Sequence, residues 1–128
     1  AYDLSLLYQM LLNKGTFNGV RYLRPETIQL FTSYNSKISR RGLGFDKPEK
    51  DNLLRKDPYP SLLSSPATFG HTGFTGTCVW VDPQYDLVYI FLSNRAFPTR
   101  DNNKLSQLLI RGKIQDAIYK ALGADTHK

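Results

Sequence analysis

Leu4, Leu7, Tyr8, Leu11 and Leu12 return at intervals of three and four, which places them on one face of a helix. Gly15 supplies the residue type that ends such a helix in a left-handed conformation. Phe17-Asn18-Gly19-Val20 follows as a turn between two short extended pieces. Pro25 and Glu26 open a second helix that runs to about Thr32, with proline at the first position, where its missing N–H costs nothing. Arg24 before it is a poor cap. Arg41-Gly42-Leu43-Gly44-Phe45 reads as a short extended piece. From Asp46 to Pro66 the periodicity fades and Pro, Lys, Asp and Ser dominate, which predicts a long, solvated surface loop.

The pattern then changes to strands, at about Ala67–Gly73, Gly76–Val81 and Leu87–Ser93, with Asp82-Pro83-Gln84-Tyr85-Asp86 as the hairpin joining the last two. Leu87 to Leu92 has no polar alternation, as expected of a strand covered on both faces and lying in mid-sheet. Yet only the Gly76–Val81 strand is available to pair with it. The sheet is therefore expected to need a further neighbour, from more of a longer chain or from a second copy. After Pro98, a last helix from about Asn102 to Leu122 sets Leu105, Leu108, Leu109, Ile114, Ala117, Ile118 and Leu122 on one broad face. The predicted class is α+β: N-terminal helices and a loop over residues 1–66, a three-stranded antiparallel sheet over 67–94, and a long C-terminal helix over 101–122 packed on it.

Composition narrows the picture. The 128 residues, 41% of them hydrophobic, suffice for one domain with a core. The net charge is +6, but the basic residues are scattered. Their densest zone, Arg40-Arg41 and Lys47 to Lys56, is interrupted by Asp46, Glu49, Asp51 and Asp57, so no basic face for nucleic acid is expected. The one cysteine, Cys78, sits in an apolar strand pattern as a buried thiol. No His/Cys spacing offers a metal site, and no cofactor is expected. The longest apolar run, Leu87 to Leu92, is far short of the ~20 residues that cross a bilayer. Because a helix is already under way at Ala1, the segment is expected to come from a longer protein.

The chemistry concentrates in Phe69-Gly70-His71-Thr72-Gly73-Phe74-Thr75-Gly76-Thr77. At a strand edge, His71 can donate a hydrogen bond or a charge near neutral pH, and the Thr72 hydroxyl can meet a carboxylate or carbonyl oxygen. Gly73 leaves room for a ligand against the backbone, and the next N–H can point at a developing oxyanion. On residue type alone, a tight hairpin carrying a turn histidine is the better fit. Trp80 and Tyr85 read as packing residues, and His127 sits in the C-terminal tail.

His71-Thr72-Gly73, the following Phe74-Thr75-Gly76-Thr77, Cys78–Val81, Asp82-Pro83 and Val88-Tyr89-Ile90-Phe91-Leu92-Ser93-Asn94-Arg95 together resemble the C-terminal part of the serine β-lactamase-like superfamily, which includes class C β-lactamases and low-molecular-weight penicillin-binding proteins. Leu11-Leu12-Asn13-Lys14-Gly15-Thr16-Phe17-Asn18-Gly19 and Leu23-Arg24-Pro25-Glu26-Thr27 resemble the segment upstream. The resemblance implies a partial β-lactamase-like fold, residues 1–128 forming the C-terminal part of one such domain. It implies that His71 stands at the Lys/His position of the family's third motif and supports nucleophile and substrate, that Thr72 touches substrate, that Gly73 gives clearance and that Phe74 lends its backbone N–H as one of two oxyanion donors. Arg95 and Arg100 follow the last strand, where relatives contact a substrate carboxylate, but the local residues do not match well enough to carry that role.

The family's Ser-x-x-Lys and Tyr-x-Asn motifs are missing: no serine here has lysine three residues on, and no tyrosine has asparagine two residues on. The resemblance therefore implies an acyl-serine hydrolase of amides or esters, β-lactam or peptidoglycan-type, whose nucleophile-bearing N-terminal part lies outside these residues. The fragment alone is expected to be inactive and to self-associate. The sequence around Phe74–Trp80 is also similar to modules fused behind family 3 glycoside hydrolases of the β-N-acetylglucosaminidase type in gut Bacteroidetes, which implies an extracytoplasmic, cell-envelope location. A non-catalytic binding or assembly module that keeps the cleft wall is the alternative. A nucleic-acid-binding domain would show steep salt dependence.

Overall fold

The computed structural model describes residues 1–124. Helix α1 (Tyr2–Leu12) stops where Lys14 (φ 54°) and Gly15 (φ 91°) turn left-handed, and the Gly15 N–H returns to Met10 O at 2.9 Å. Strands β1 (Thr16–Phe17) and β2 (Val20–Arg21) pair across Asn18 and Gly19, both at positive φ, as a two-residue hairpin turn requires. Helix α2 (Pro25–Thr32) starts at its proline, as the sequence predicts.

Three antiparallel strands follow: β3 (Phe69–Thr72), β4 (Cys78–Asp82) and β5 (Leu87–Phe91), in the order β3-β4-β5. The central strand is β4, buried along its whole length. Among the described residues β5 pairs with β4 alone, so it is an edge and not the mid-sheet strand that its apolar sequence suggests. Four of its five side chains are only half-buried. Period-2 alternation divides the side chains between two cores. Phe69 and Val81 pack with Met10 and Leu11 of α1 and Ile28 of α2. Cys78, Trp80 and Tyr89 pack on the other face with Tyr59 and Ile118. Helices and loop thus cover both sides of a thin sheet, an α+β arrangement.

The C-terminal helical stretch differs from expectation. It is broken into α3 (Lys104–Gln107) and α4 (Ile110–Ala121), with Leu109 between them at φ 52°. The break resets the helical phase. Leu108, Ile114, Ala117 and Leu122 are left exposed, while Gln115 and Tyr119 turn to the sheet and are buried. Gln115 Nε2 donates to the Tyr119 hydroxyl at 3.4 Å, and that hydroxyl reaches Asp82 at the end of β4. Its buried carboxylate accepts from Tyr119 OH (2.6 Å), Ser65 Oγ (2.6 Å), Thr68 Oγ1 (2.8 Å), Ser65 N–H (3.0 Å) and Gln84 N–H (3.0 Å). Five donors around one carboxylate compensate the cost of burying the charge.

The stretch from Asp46 to Pro66 is not the solvated loop that its composition predicts. Asp46, Lys47, Asn52, Ser61 and Ser65 are buried. Asn52 braces the segment, donating from Nδ2 to Ser61 O (2.6 Å) and accepting the Tyr59 N–H (2.7 Å) beside a single 3-10 turn, Asn52–Leu54. Lys47 Nζ donates to Ala67 O at 3.1 Å and lies 5.1 Å from the centre of the Tyr34 ring. Protein partners have replaced water around Lys47 and Asn52, whereas Ser61 Oγ is buried without a hydrogen-bond partner among the described residues. Residues 41–45 form no strand; pairing begins with Asp46 opposite Gly70. No helix among the described residues is long and apolar enough to cross a membrane.

Candidate functional site

Strand β3 is the other edge of the sheet, and its chemistry follows from which backbone groups are left over. Gly70 uses both of its groups on Asp46, accepting the Asp46 N–H at 2.7 Å and donating to Asp46 O at 3.1 Å. Alternation then directs the backbone groups of Phe69 and His71 at β4 and turns those of Thr72 outward with those of Gly70. The bridge to Asp46 ends at Gly70, so the edge is open at Thr72. Gly70 has no room for a side chain, since a Cβ would strike Val79 O and come within 2.7 Å of the Trp80 ring.

His71 is exposed, with Nδ1 2.7 Å from Thr72 O. A carbonyl only accepts, so Nδ1 carries the proton, and Nε2 of the neutral ring is left as an acceptor. On protonation the same nitrogen becomes a donor. His71 can therefore present either a lone pair or a charge at this edge.

Thr72 is half-buried, its Oγ1 3.4 Å from the hydroxyl of Tyr59. Tyr59 OH donates to Asp46 Oδ2 at 2.7 Å, and burial pushes the phenol up to about 12, so that donor stays protonated. The Tyr59 oxygen is left to accept, and the Thr72 hydroxyl can donate to it or turn toward the cleft. Arg40 lies 4.2 Å above the Tyr59 ring, 3.6 Å from Asp46 and 2.9 Å from Glu49, while Arg41 reaches Asp46 at 3.4 Å. A cavity of about 340 Å³ opens beside this group, lined by Thr72, Tyr59, Arg40 and Arg111 among others.

Gly73 to Gly76 forms the turn into β4, closed by Gly73 N–H to Thr77 O (2.8 Å) and Gly76 N–H to Gly73 O (3.0 Å). The Phe74 N–H donates to nothing among the described residues, and the Phe74 ring is 68% exposed. His71, Thr72, Gly73 and Phe74, the residues singled out from sequence, thus lie together along one open edge. His127 falls outside the described residues. Trp80 and Tyr85 are packing residues, in edge-to-face contact with Tyr59 and Tyr119 respectively. Cys78 is buried, and burial raises its thiol to about 11, which keeps it an unreactive thiol at neutral pH. Among the described residues, no group of three or more His, Cys, Asp or Glu side chains could hold a metal.

Asp46, Tyr59 and Arg40 are not identifiable from the sequence as neighbours of Thr72. The one hint is the alternation of opposite charges from Arg40 to Glu49, which reads equally well as a solvated loop.

Residues 1–111 match the family model described as Beta-lactamase. A candidate D-alanyl-D-alanine carboxypeptidase of Escherichia coli (strain K12) is 31% identical over 118 residues, which cover 91% of this chain and 26% of that protein. A protein of the same description from Salmonella enteritidis PT4 (strain P125109) is 29% identical over 119 residues, 92% of this chain and 27% of that protein. The chain spans about a quarter of the length of the curated relatives it matches. The crystal structure of a candidate β-lactamase from Bacteroides dorei DSM 17855 superposes with a TM-score of 0.48 at 13% identity, over 85% of this chain and 37% of that one. The family match runs from α1 through the His71-Thr72-Gly73 strand and its turn to the start of α4, and the chain therefore belongs to the Beta-lactamase family.

Proposed function

We propose that this chain forms one wall of the cleft of a serine hydrolase that works through an acyl-serine intermediate on an amide or ester, of β-lactam or peptidoglycan-peptide type. His71 supports the nucleophile and substrate through Nε2, Thr72 meets substrate through its hydroxyl, Gly73 gives clearance, and the Phe74 N–H serves as one of two oxyanion donors. The nucleophile, its base and the second donor come from residues outside this sequence. The observation that carries the reading is the Phe74 N–H, without an acceptor among the described residues, in a turn fixed by its neighbours and next to the open edge of His71 and Thr72. A donor already in place before charge develops stabilises an oxyanion without reorganising. The relation to proteins described as carboxypeptidases supports the peptide class of substrate, and with it an extracytoplasmic location. Fusion to a family 3 glycoside hydrolase rests on sequence resemblance alone.

The test uses a chromogenic β-lactam and a p-nitrophenyl ester with two proteins. The 128-residue chain is expected to give no serine-dependent burst. In the longer hydrolase, His71→Ala is expected to slow acylation by about 10²-fold, the lower end for loss of a positioned acid–base group. A burst from the short chain, or unchanged acylation by His71→Ala, would refute the proposal. The second result would favour the non-catalytic module that keeps the cleft wall.

A further inference from the structure

The Phe74 N–H belongs to a turn whose exposed aromatic ring contributes little packing, so something else must hold it. The peptide unit that carries this N–H is fixed at its carbonyl end, where Gly73 O accepts from Gly76 N–H. The next peptide is held by Arg95. Its Nε donates to Phe74 O at 2.8 Å, its backbone N–H donates to Thr75 O at 2.9 Å, and its guanidinium lies 4.5 Å from the centre of the Phe74 ring. Ser93 Oγ adds a bond to Thr75 O at 3.2 Å. On its far side, Nη1 of Arg95 donates to Arg100 O (2.9 Å), Asn102 O (3.2 Å) and Asn103 Oδ1 (3.3 Å).

Arg95 pairs with no carboxylate among the described residues. Its Nε and Nη1 protons are spent on carbonyl oxygens of this chain, so the guanidinium acts as a strut between the Gly73–Gly76 turn and residues 100–103. The planar fork of an arginine can span both; an ammonium cannot.

We propose that Arg95 is the positioning residue of the oxyanion donor: by gripping Phe74 O and the Phe74 ring it fixes the direction in which the Phe74 N–H faces the cleft. This rests on the reading of that N–H as a donor to the developing oxyanion. Arg95 touches no reacting atom and acts through the turn.

The experiment measures acylation of the longer hydrolase by p-nitrophenyl acetate and by its thiono counterpart, whose sulfur is a poor hydrogen-bond acceptor. Arg95→Ala is expected to lower the acylation rate constant for the oxygen ester by about 10²-fold, as for a misplaced catalytic group, with apparent substrate affinity changed by less than about threefold. The thiono ester is expected to lose far less, so the oxygen-to-sulfur ratio falls. A general loss of structure would lower both rates alike. Arg95→Lys keeps the cation near the ring but loses the fork, and is expected to lie between the two. It carries the test if Arg95→Ala does not fold, which the emission of buried Trp80 reports. An unchanged ratio in a folded Arg95 variant overturns the proposal.

Replacing the Phe74 amide by an ester linkage separates the two levels. A ratio that survives this replacement rejects Phe74 N–H as the donor and the Arg95 proposal with it. A ratio that collapses here but survives in the Arg95 variants rejects the Arg95 proposal alone.

Discussion

Tyr119→Phe removes one oxygen atom and leaves the packing of α4 on the sheet in place, because the ring and its edge-to-face contact with Tyr85 (5.1 Å) remain. The lost group donates at 2.6 Å to Oδ2 of Asp82, a buried carboxylate. A hydrogen bond to a charged acceptor contributes about 1.5–3 kcal/mol. Asp82 keeps its other four donors, so its charge is not orphaned. Gln115, however, loses the acceptor of its Nε2 at 3.4 Å, and its Oε1 is already buried without a partner among the described residues. A further unsatisfied group adds about 1 kcal/mol. The expected destabilisation is about 2–4 kcal/mol in total. Urea unfolding followed through Trp80, the only tryptophan and 2% exposed, measures it directly. Tyr85→Phe is the control: its hydroxyl makes no hydrogen bond among the described residues, and the change should stay within about 0.5 kcal/mol. If Tyr119→Phe also stays within that margin, the Asp82 cluster does not anchor α4, and the account of why polar residues face the sheet fails.

Two further outcomes are expected. Burial lowers the Lys47 ammonium to about 8, so between pH 8 and its ordinary value near 10.5 the unfolded chain binds more protons than the folded one, and stability rises with pH. From pH 7.5 to 9 the gain is about 1 kcal/mol, absent in Lys47→Met, in denaturant titrations. Above pH 9 to 10 the sign reverses, because burial raises the Cys78 thiol and the Tyr59 and Tyr119 phenols and the unfolded chain releases those protons first. We also propose that the 128-residue chain self-associates through the outer edge of β5 or the exposed Leu108, Ile114 and Leu122. A monodisperse monomer by light scattering at high concentration would refute this.

The parts of the fold that the sequence reveals are those fixed by neighbours in the chain. Pro25 can only start a helix, Asn18-Gly19 supplies the two positive-φ residues a tight hairpin needs, and three apolar runs separated by turn residues form the sheet. The site strand belongs to this class, since His71 to Phe74 are contiguous. What the sequence hides depends on distant partners. An apolar periodicity runs straight through Leu109, and nothing local announces that a leucine will take a left-handed conformation there. Tyr119 faces inward because Asp82 accepts its hydroxyl, and Gln115 follows it inward to bond that same hydroxyl. Asp46 and Asn52 read as loop polars until Tyr59, Arg40 and Ser61 close around them. Arg95 sits beyond the last strand with no sequence signal that its side chain returns to Phe74, 21 positions earlier.

Gly70 and His71 stand side by side, yet they face opposite mutational prospects. Any side chain at position 70 would collide with Val79 and Trp80, so drift there breaks the sheet before it can alter chemistry. Position 71 projects from the edge into open space, where a lysine could replace histidine without disturbing the residues beneath. The strand therefore sets two unlike positions side by side: the register rests on the glycine, and a change one residue away leaves that register intact.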